Sequence, residues 1–461
     1  MSKLNAPESA GNIVKFRVSS NFTEYAVELA AGVVDFRYYE NVLSNNVTAT
    51  ATIVETGYSD GTGDSQSTVD GLPIRGGERT DITIEDVYGN ELTLEEGLYV
   101  NRIRDVNPDT TKDVYFLDFA SREFFANEQT RVVKKYEGNI GDNVQKILRD
   151  VLKVTSNIDI DNTSAPYNFI GNDRKPFYIC TWLASKSIPE VTSAVGTSGK
   201  GRAAGYLFFQ TRDGYHFKSI DKIFSGTAKK RYIFNNSTSI PEKYDAKILT
   251  YDINSDVDVG KNLMMGMYNN RSLFFNPLSF SYEVRSFPEV NVPPVEGQIV
   301  EEDTTVLSNE QYLANTENAG SESVGKLIKE EFRQSPTRLM SFIMDTGVLP
   351  NGVDSQEQLN NWSGDKEKEK ENYDVANTMV QSIMRYNQLF TVKTDITIPG
   401  DFSIKAGDLI ECDFPKLEGD AVKDVNPETK GTYMVASVCH RITPNSTTSS
   451  LSLVRDSFGG K

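Results

Sequence analysis

The feature that most constrains the fold is a two-residue hydrophobic period that fills two separate stretches of the chain. The first runs from Ile13 to Phe119 and the second from Phe390 to Val454. Apolar and polar residues alternate along both stretches, as they do in β-strands with one buried face. Several short strands at this spacing favour a small barrel or sandwich. We therefore expect two small β-barrels, one towards each end of the chain.

The residues between these stretches change to a helical period. Apolar residues over 144–152 recur at intervals of three and four, and Asp142 is the expected N-cap of this helix. A second helix is predicted over residues 177–187, between two prolines. Two strands follow at 206–210 and 215–220, and the Asp-Gly pair between them is a strong hairpin signal. These elements predict a small α+β domain.

A third kind of segment follows, with little hydrophobic period. Residues 296–323 are acidic and polar, which is typical of a linker or an extended arm. Short helices are expected near residues 324–333 and over 366–387, where the second carries an apolar stripe at helical spacing. This helix leads into the second β stretch.

These patterns define an α+β chain that is predominantly β, with two small β-barrels, an inserted α+β domain and a helical or extended linker region. At 461 residues the chain is long enough for several cores. We predict a first β-barrel domain at 1–122, an α+β middle domain at 123–230, a β-rich segment completing the middle or second barrel region at 231–290, an acidic linker or arm with short helices at 291–372, and a helix plus second β-barrel at 373–461.

The charge balance bears on the partners. The chain holds 65 acidic and 48 basic residues, a net charge of −17. Sequence-independent binding to the phosphate backbone of nucleic acid needs a basic face, and so does binding to an acidic membrane surface. Both roles are therefore disfavoured. No apolar run approaches the length of a membrane span, and the N-terminus lacks the apolar core of a signal peptide, so we expect a soluble protein made in the cytoplasm.

Side chains suited to catalysis or metal binding are scarce. The two histidines, His216 and His440, both lie in strand patterns. The adjacency of Cys439 and His440 does not provide a triad, because neighbouring strand residues point to opposite faces. The three cysteines are too scattered for a disulfide framework or a zinc site, and we interpret Cys412 and Cys439 as small core residues. The sequence therefore predicts no catalytic, cofactor-binding or metal-binding residue, and no cofactor.

Two further motifs are better explained without chemistry. The stretch 196–202 contains Gly-Lys, but Ala194 and Gly201 occupy the places where a phosphate-binding loop needs glycine and a hydroxyl residue. We interpret it as a loop. The acidic stretch 301–303 lies in the expected linker, where a carboxylate would stay solvated. A pair of carboxylates brought together only by the fold, as glycoside hydrolysis requires, leaves no local signature and stays possible.

Ten short motifs in chain order resemble those of one group of proteins. They are residues 34–43 leading into 47–54, Leu72-Pro73-Ile74-Arg75-Gly76-Gly77-Glu78, the 144–152 helix, Lys175-Pro176-Phe177, Trp182-Leu183, the 206–220 hairpin, Ile398-Pro399-Gly400-Asp401, Ala406-Gly407-Asp408-Leu409-Ile410, Gly431-Thr432-Tyr433-Met434-Val435 and Leu453-Val454-Arg455-Asp456-Ser457. In this order the chain resembles the baseplate central hub proteins of contractile-tailed, T-even-like phages, which are related to the base of type VI secretion spikes.

The resemblance implies a structural protein and not an enzyme. It implies a homotrimer in which each subunit supplies two tube-like barrels, so that three copies form a ring between the tail tube and the central spike through which DNA passes. The implied partners are further copies of the chain, the spike, tail tube or tube-initiator proteins and baseplate wedge proteins. The implied location is the virion tail baseplate, assembled in the host cytoplasm.

Two other functions stay open at this point. One is a tail-associated peptidoglycan hydrolase, which would need the carboxylate pair that sequence cannot reveal. The other is a peripheral baseplate or wedge protein, which would lie away from the tail axis.

Overall fold

The structure is a computed structural model that describes most of the chain. It covers residues 10–56, 58–59, 65–66, 68–94, 96–108, 112–163, 167–189, 204–235, 240–254, 259–266, 270–276, 280–287, 322–323, 337–343, 376–416 and 425–458. The predicted loop at 196–202, the acidic stretch 301–303 and the predicted helix at 324–333 lie outside the described residues.

The first β region follows from the alternation seen in the sequence. Along β3 and β4 every second side chain is buried, so one face of each strand lies in the core. The elements are β1 (Asn12–Ser19), β2 (Ala26–Glu28), β3 (Val33–Asn41), β4 (Thr48–Glu55), β5 (Tyr58–Ser59), β6 (Ser65–Gln66), α1 (Thr68–Gly71), β7 (Arg79–Glu85), β8 (Glu91–Thr93), β9 (Leu98–Pro108) and β10 (Asp113–Ala120).

The middle domain has its own apolar core, and its elements are α2 (Arg122–Gln129), β11 (Lys135–Tyr136), α3 (Ile140–Lys146), β12 (Asn157–Ile160), β13 (Phe169–Ile170), α4 (Pro176–Ala184), β14 (Tyr206–Thr211), β15 (Gly214–Ser219) and α5 (Ile220–Phe224). The hairpin prediction is confirmed, because β14 pairs antiparallel with β15 around Arg212 and Asp213. Gly214 has a φ of +128°, a conformation that favours glycine.

Both predicted middle-domain helices form, with different ends. Helix α3 continues as a π-helical turn at Ile147–Val151, and its N-cap is Asn139 and not Asp142. Asp142 lies in the first turn, where its charge still favours the positive end of the helix. Helix α4 ends at Ala184, because the hydroxyl of Ser187 donates to the Leu183 carbonyl at 2.8 Å and competes with helix continuation.

The remaining elements form a second β region with an insertion. They are β16 (Lys230–Ile233), β17 (Ala246–Lys247), β18 (Thr250–Asn254), then α6 (Val259–Met264), β19 (Asn270–Asn276), β20 (Ser281–Phe287), β21 (Glu322–Ser323), β22 (Arg338–Ile343) and α7 (Ala376–Leu389), then β23 (Val392–Pro399), β24 (Leu409–Asp413), β25 (Gly431–Ile442), β26 (Thr447–Arg455) and β27 (Ser457–Phe458). Strands β19, β20 and β22 form a separate sheet in the order β20-β19-β22, which we call the outer sheet.

Residues 291–372 contribute a strand to the outer sheet, which the sequence did not predict. The sequence indicates a linker or arm with short helices, whereas the described part of that range holds β21 and β22. Strand β22 pairs parallel with β19, about seventy positions earlier in the chain. Apolar residues occur on both faces of β22, so the local pattern lacks the clean alternation by which a strand is recognised.

The two β regions form one continuous sheet, because the second half of β25 pairs antiparallel with β3 over six residue pairs. Fifteen strands of the described residues belong to this sheet. The class expected from the sequence, α+β and predominantly β, is confirmed. The named strands do not form a closed ring in the described residues, because the strand order ends at β17, β18 and β2.

Candidate functional site

The two β regions and the middle domain meet at one place, built around the turn between β23 and β24. This turn spans residues 400–408, and carboxylates shape both of its ends. Asp401 Oδ1 accepts from the backbone N–H of Ser403 at 3.0 Å, and Asp408 Oδ2 accepts from that of Lys405 at 3.0 Å. A side chain on Gly400 would collide with Thr447. The predicted Pro-Gly-Asp and Ala-Gly-Asp turns therefore hold one rigid loop.

Glu40, on β3, binds this turn from the first β region. Its carboxylate accepts from the backbone N–H of Ala406 at 2.9 Å and from that of Arg212 at 2.8 Å, so it joins all three parts of the fold. The hydroxyl of Tyr38 donates to the same carboxylate at 2.9 Å. Glu40 is buried, and burial raises the pKa of its carboxyl, while the three donors act in the opposite direction. A buried acid with these donors is a structural connector.

A second carboxylate of the first β region, Asp86, binds the same turn. It accepts from the backbone N–H of Phe402 at 2.8 Å and also from those of Tyr88 and Asn90, both at 2.8 Å. The ring of Phe402 is buried in the apolar core of the first β region. The second β region thus contributes a side chain to the core of the first, which fixes their relative orientation.

His440, on β25, packs beside this turn as a neutral ring. Its Nε2 lies 3.1 Å from the carbonyl oxygen of Ile404, which can only accept, so Nε2 carries the proton and Nδ1 accepts from the Ser449 hydroxyl at 2.8 Å. The ring stacks on Tyr38 and meets the edge of Phe402. Burial lowers the pKa of His440 to about 3, and the charge of Arg212 acts in the same direction. A histidine held neutral in this way has a packing role.

The tip of the middle-domain hairpin completes the contact. Arg212 donates to the carbonyl of Phe402, and Asp213 forms an ion pair with Lys405. Beneath these polar groups lies an apolar cluster drawn from all three parts, Val42, Leu207, Phe209, Ile220, Phe224, Leu389, Ala406, Leu409, Met434, Ala436 and Val454. We call this region the joint. It consists of the apolar cluster and of the residues that contact one another around the turn, Glu40, Asp86, Arg212, Phe402, Ala406 and His440.

A buried ionic triad anchors α7 next to the joint. Arg385 donates through Nη1 to Asp456 at 2.7 Å and through Nε to Asp221 at 3.1 Å. All three side chains are buried. Burial alone would lower the pKa of Arg385, but the two carboxylates outweigh it and raise the pKa. The triad ties α7 to α5 and to the end of β26.

The fold also brings together a pair of carboxyl groups that the sequence could not reveal. Glu96 and Glu123 both line a cavity of about 310 Å³ between the first β region and the middle domain. The guanidinium of Arg122 contacts both, at 3.1 Å and 3.2 Å. Burial raises the pKa of Glu123 to about 7, and Glu96 acts in the same direction.

The histidines and cysteines singled out in the sequence lie apart from one another. His216 is bonded to Thr211 at 2.8 Å in the β14–β15 hairpin. Cys180 and Cys412 are buried, and burial raises the pKa of both thiols. Cys439 is half-buried and not a full core residue as expected, because its neighbours on β25 take the inward positions. Within the described residues, no group of three histidine, cysteine or carboxylate side chains could hold a metal ion.

The joint itself was missed at the level of sequence, although one signal was present. From Phe36 onward the buried positions of β3 are Phe36, Tyr38 and Glu40, at a spacing of two. A carboxylate on the apolar face of a strand requires donors from elsewhere in the fold.

No helix in the described part of the chain is long and apolar enough to cross a membrane.

Comparison with known proteins gives a fold and no sequence relative. No protein-family model matches the chain, and no curated protein sequence matches it. Among solved structures, the chain is similar to the tail protein from Neisseria meningitidis MC58, with 9% identity, 96% of each chain covered and a TM-score of 0.50. It also matches a 43 kDa tail protein of prophage MuSo2 from Shewanella oneidensis, with 8% identity, 96% of this chain and 98% of that chain covered and a TM-score of 0.46.

The chain therefore has the fold of a tail protein, and its structural neighbours are phage tail and baseplate proteins. A third neighbour is a component of the type VI secretion system of E. coli, with 8% identity, 100% of this chain and 79% of that chain covered and a TM-score of 0.40. At these identities the likeness concerns the fold and does not extend to activity.

Proposed function

We propose that this chain is a structural subunit of a tail baseplate, the hub that connects the tail tube to the central spike. In this proposal three copies form a ring, each copy supplies two β regions, and DNA passes through the centre. The copies are made in the host cytoplasm and end in the virion tail. The neighbouring partners are the spike, tube or tube-initiator proteins and wedge proteins.

The observation that carries the proposal is the joint. A ring that matches a sixfold tube with three subunits needs two similar modules per chain in a fixed relation. Here β3 and β25 pair directly, Phe402 lies in the core of the opposite region, and Glu40 binds the turn that carries it. Such an arrangement resists rotation of one region against the other, which supports a mechanical role.

The electrostatics and the polar side chains support the same role. A net charge of −17 disfavours adhesion to DNA, and a neutral or acidic bore is expected where DNA must slide. His440 is buried and its pKa is lowered to about 3, so it is a poor proton acceptor near neutral pH. We therefore propose that the chain has no catalytic activity.

Light scattering on the purified protein, followed by electron microscopy, tests this proposal. We expect a mass three times that of the chain and a ring with an open centre. A stable monomer at micromolar concentration without affinity for the spike would contradict it.

A second assay measures lysis of bacterial cell walls, where we expect none. If lysis occurred, its loss in Glu123→Gln would identify the carboxyl pair as an active site.

A further inference from the structure

The outer sheet has one face that the described residues leave uncovered. Strand pairing places Phe275 between Tyr282 and Ile343, and Leu273 between Val284 and Ser341. Side chains in such cross-strand rows lie on the same face of a sheet. We call Leu273, Phe275, Tyr282, Val284, Leu339 and Ile343 the outer face. Its exposed side chains, with Phe280 at the adjoining turn, are Phe280 83%, Ile343 76%, Tyr282 70%, Leu339 66% and Val284 48%.

The opposite face of the outer sheet is packed, so the sheet is a preformed surface. Phe274 is buried and stacks on Phe342 at a ring distance of 5.3 Å. Helix α7 contacts β19 and β20 on the rest of the sheet. The carbonyl of Met265 accepts from Arg338 at 2.9 Å and from Asn387 of α7 at 3.1 Å. The triad at Arg385 in turn holds α7. Because the sheet is already ordered, a partner that binds the outer face loses little conformational entropy in doing so.

The apolar surface of the outer face is at the upper end of the range that a monomer exposes. Whole side chains of this kind present about 150–250 Å² each, so the exposed fractions leave roughly 600 Å² of apolar surface. The largest apolar patch of an ordinary monomer is about 300–600 Å², and a stable interface takes about 800 Å² from each partner. The outer face supplies most of the area that one side of a stable interface needs.

The charge of the surface points to a second copy of the chain. Two copies repel each other, because each carries a net charge of −17. Among the described residues of the outer face and its cross-strand rows, Arg271 is the one charged side chain, and no carboxylate is present. This is where two acidic copies can approach without bringing acidic groups together. An anionic partner such as DNA would gain a single cation here.

We propose that the outer face is a contact between two copies of this chain, in which the two outer faces pack against each other away from the bore of the proposed ring. That the ring has three copies follows from the proposed function, whereas the contact between copies is argued from the geometry of the outer sheet. Flat sheet faces pack at about 10 Å from each other, so the two sets of side chains interdigitate.

The test compares two double variants of the full chain. Leu339→Lys with Ile343→Lys places two charges on the outer face. Leu43→Lys with Val133→Lys places two charges at sites with similar exposure, 61% and 66%, on other parts of the surface. Sedimentation velocity and light scattering follow association, and circular dichroism verifies that each variant is folded. We expect the outer-face variant to dissociate at concentrations at least tenfold above those at which the control does.

A second measurement does not depend on weakened association. Ser341→Cys places a thiol in the middle row of the outer face, and Val133→Cys is its matched control. Under mild oxidation we expect linked copies for Ser341→Cys and few for the control.

The outcomes separate the two proposals. An outer-face variant that assembles like the control, with no cross-link at residue 341, overturns this inference and leaves the proposed ring intact. A wild-type chain that stays monomeric counts against the ring and the contact together. An assembly that is unchanged in the variant while spike binding is lost would assign the outer face to the spike and overturn the contact between copies.

Discussion

The joint and the outer face are both apolar surfaces of one chain, and they differ in how they are covered. At the joint, Phe402 is buried by the first β region and the backbone N–H groups around it reach Glu40 and Asp86. On the outer face, Leu339 and Ile343 meet no cover among the described residues. The chain thus completes the contact that fixes its own modules, and its described residues leave open an apolar surface that is most of the size of one side of a stable interface. The covered contact at the joint holds the two β regions rigid, whereas the uncovered outer face is the surface through which we propose that copies associate.

The largest expected effect comes from the triad that holds α7 behind the outer sheet. Replacing Arg385 by Met leaves Asp221 and Asp456 buried without their guanidinium, and breaking a buried pair in this way costs about 3–5 kcal/mol. We expect that loss in urea denaturation, together with faster proteolysis near the outer sheet. Arg131→Met, at an exposed arginine, is the control and should change little. Equal stability of the two variants would show that α7 does not depend on the triad.

The next effect tests the joint itself. Glu40→Ala removes the acceptor from two backbone N–H groups and the Tyr38 hydroxyl, all buried, and should lower the free energy of unfolding by about 3 kcal/mol. Glu40→Gln keeps the volume and one acceptor and should lose less. Glu24→Ala, at an exposed site, gives the baseline. If Glu40→Ala matched that baseline, the joint would not be the rigid connection that the ring requires.

The dependence of stability on pH tests the contact between the first β region and the middle domain, where Glu123 lies. The pKa of Glu123 is about 7 in the folded chain, above its ordinary 4.5, so the folded state binds the proton more tightly. Its contribution to stability is therefore present below pH 4.5 and is lost as the pH rises towards 7. Glu123→Gln should remove roughly 3 kcal/mol of this pH dependence. The contribution of His440 has the opposite sign but is common to both proteins, so it cancels in the difference between their denaturation curves.

Much of the fold follows from local patterns. The alternation in both β stretches, the helical period at residues 144–152 and the Asp-Gly signal of the hairpin each fix a local conformation. The pairing of β3 with β25 does not follow, since it joins backbones some four hundred positions apart and backbone hydrogen bonds carry no side-chain signature. The triad and the pair of Glu96 and Glu123 are equally non-local. The site was therefore predictable only at Glu40, through its place in an inward-facing row.

The smallest expected effect is that of truncating a leucine on the outer face, and it compares the outer face directly with the joint. Leu339→Ala on the outer face and Leu207→Ala in the joint remove the same atoms from sites that are 66% and 3% exposed. Measured below the concentration at which copies associate, the first should cost less than about 0.5 kcal/mol and the second about 3 kcal/mol. At higher concentration the cost of Leu339→Ala should grow, because association then stabilises the wild-type chain. A large cost at every concentration would mean that Leu339 is covered within its own chain, and the outer face would then belong with the joint as an internal contact.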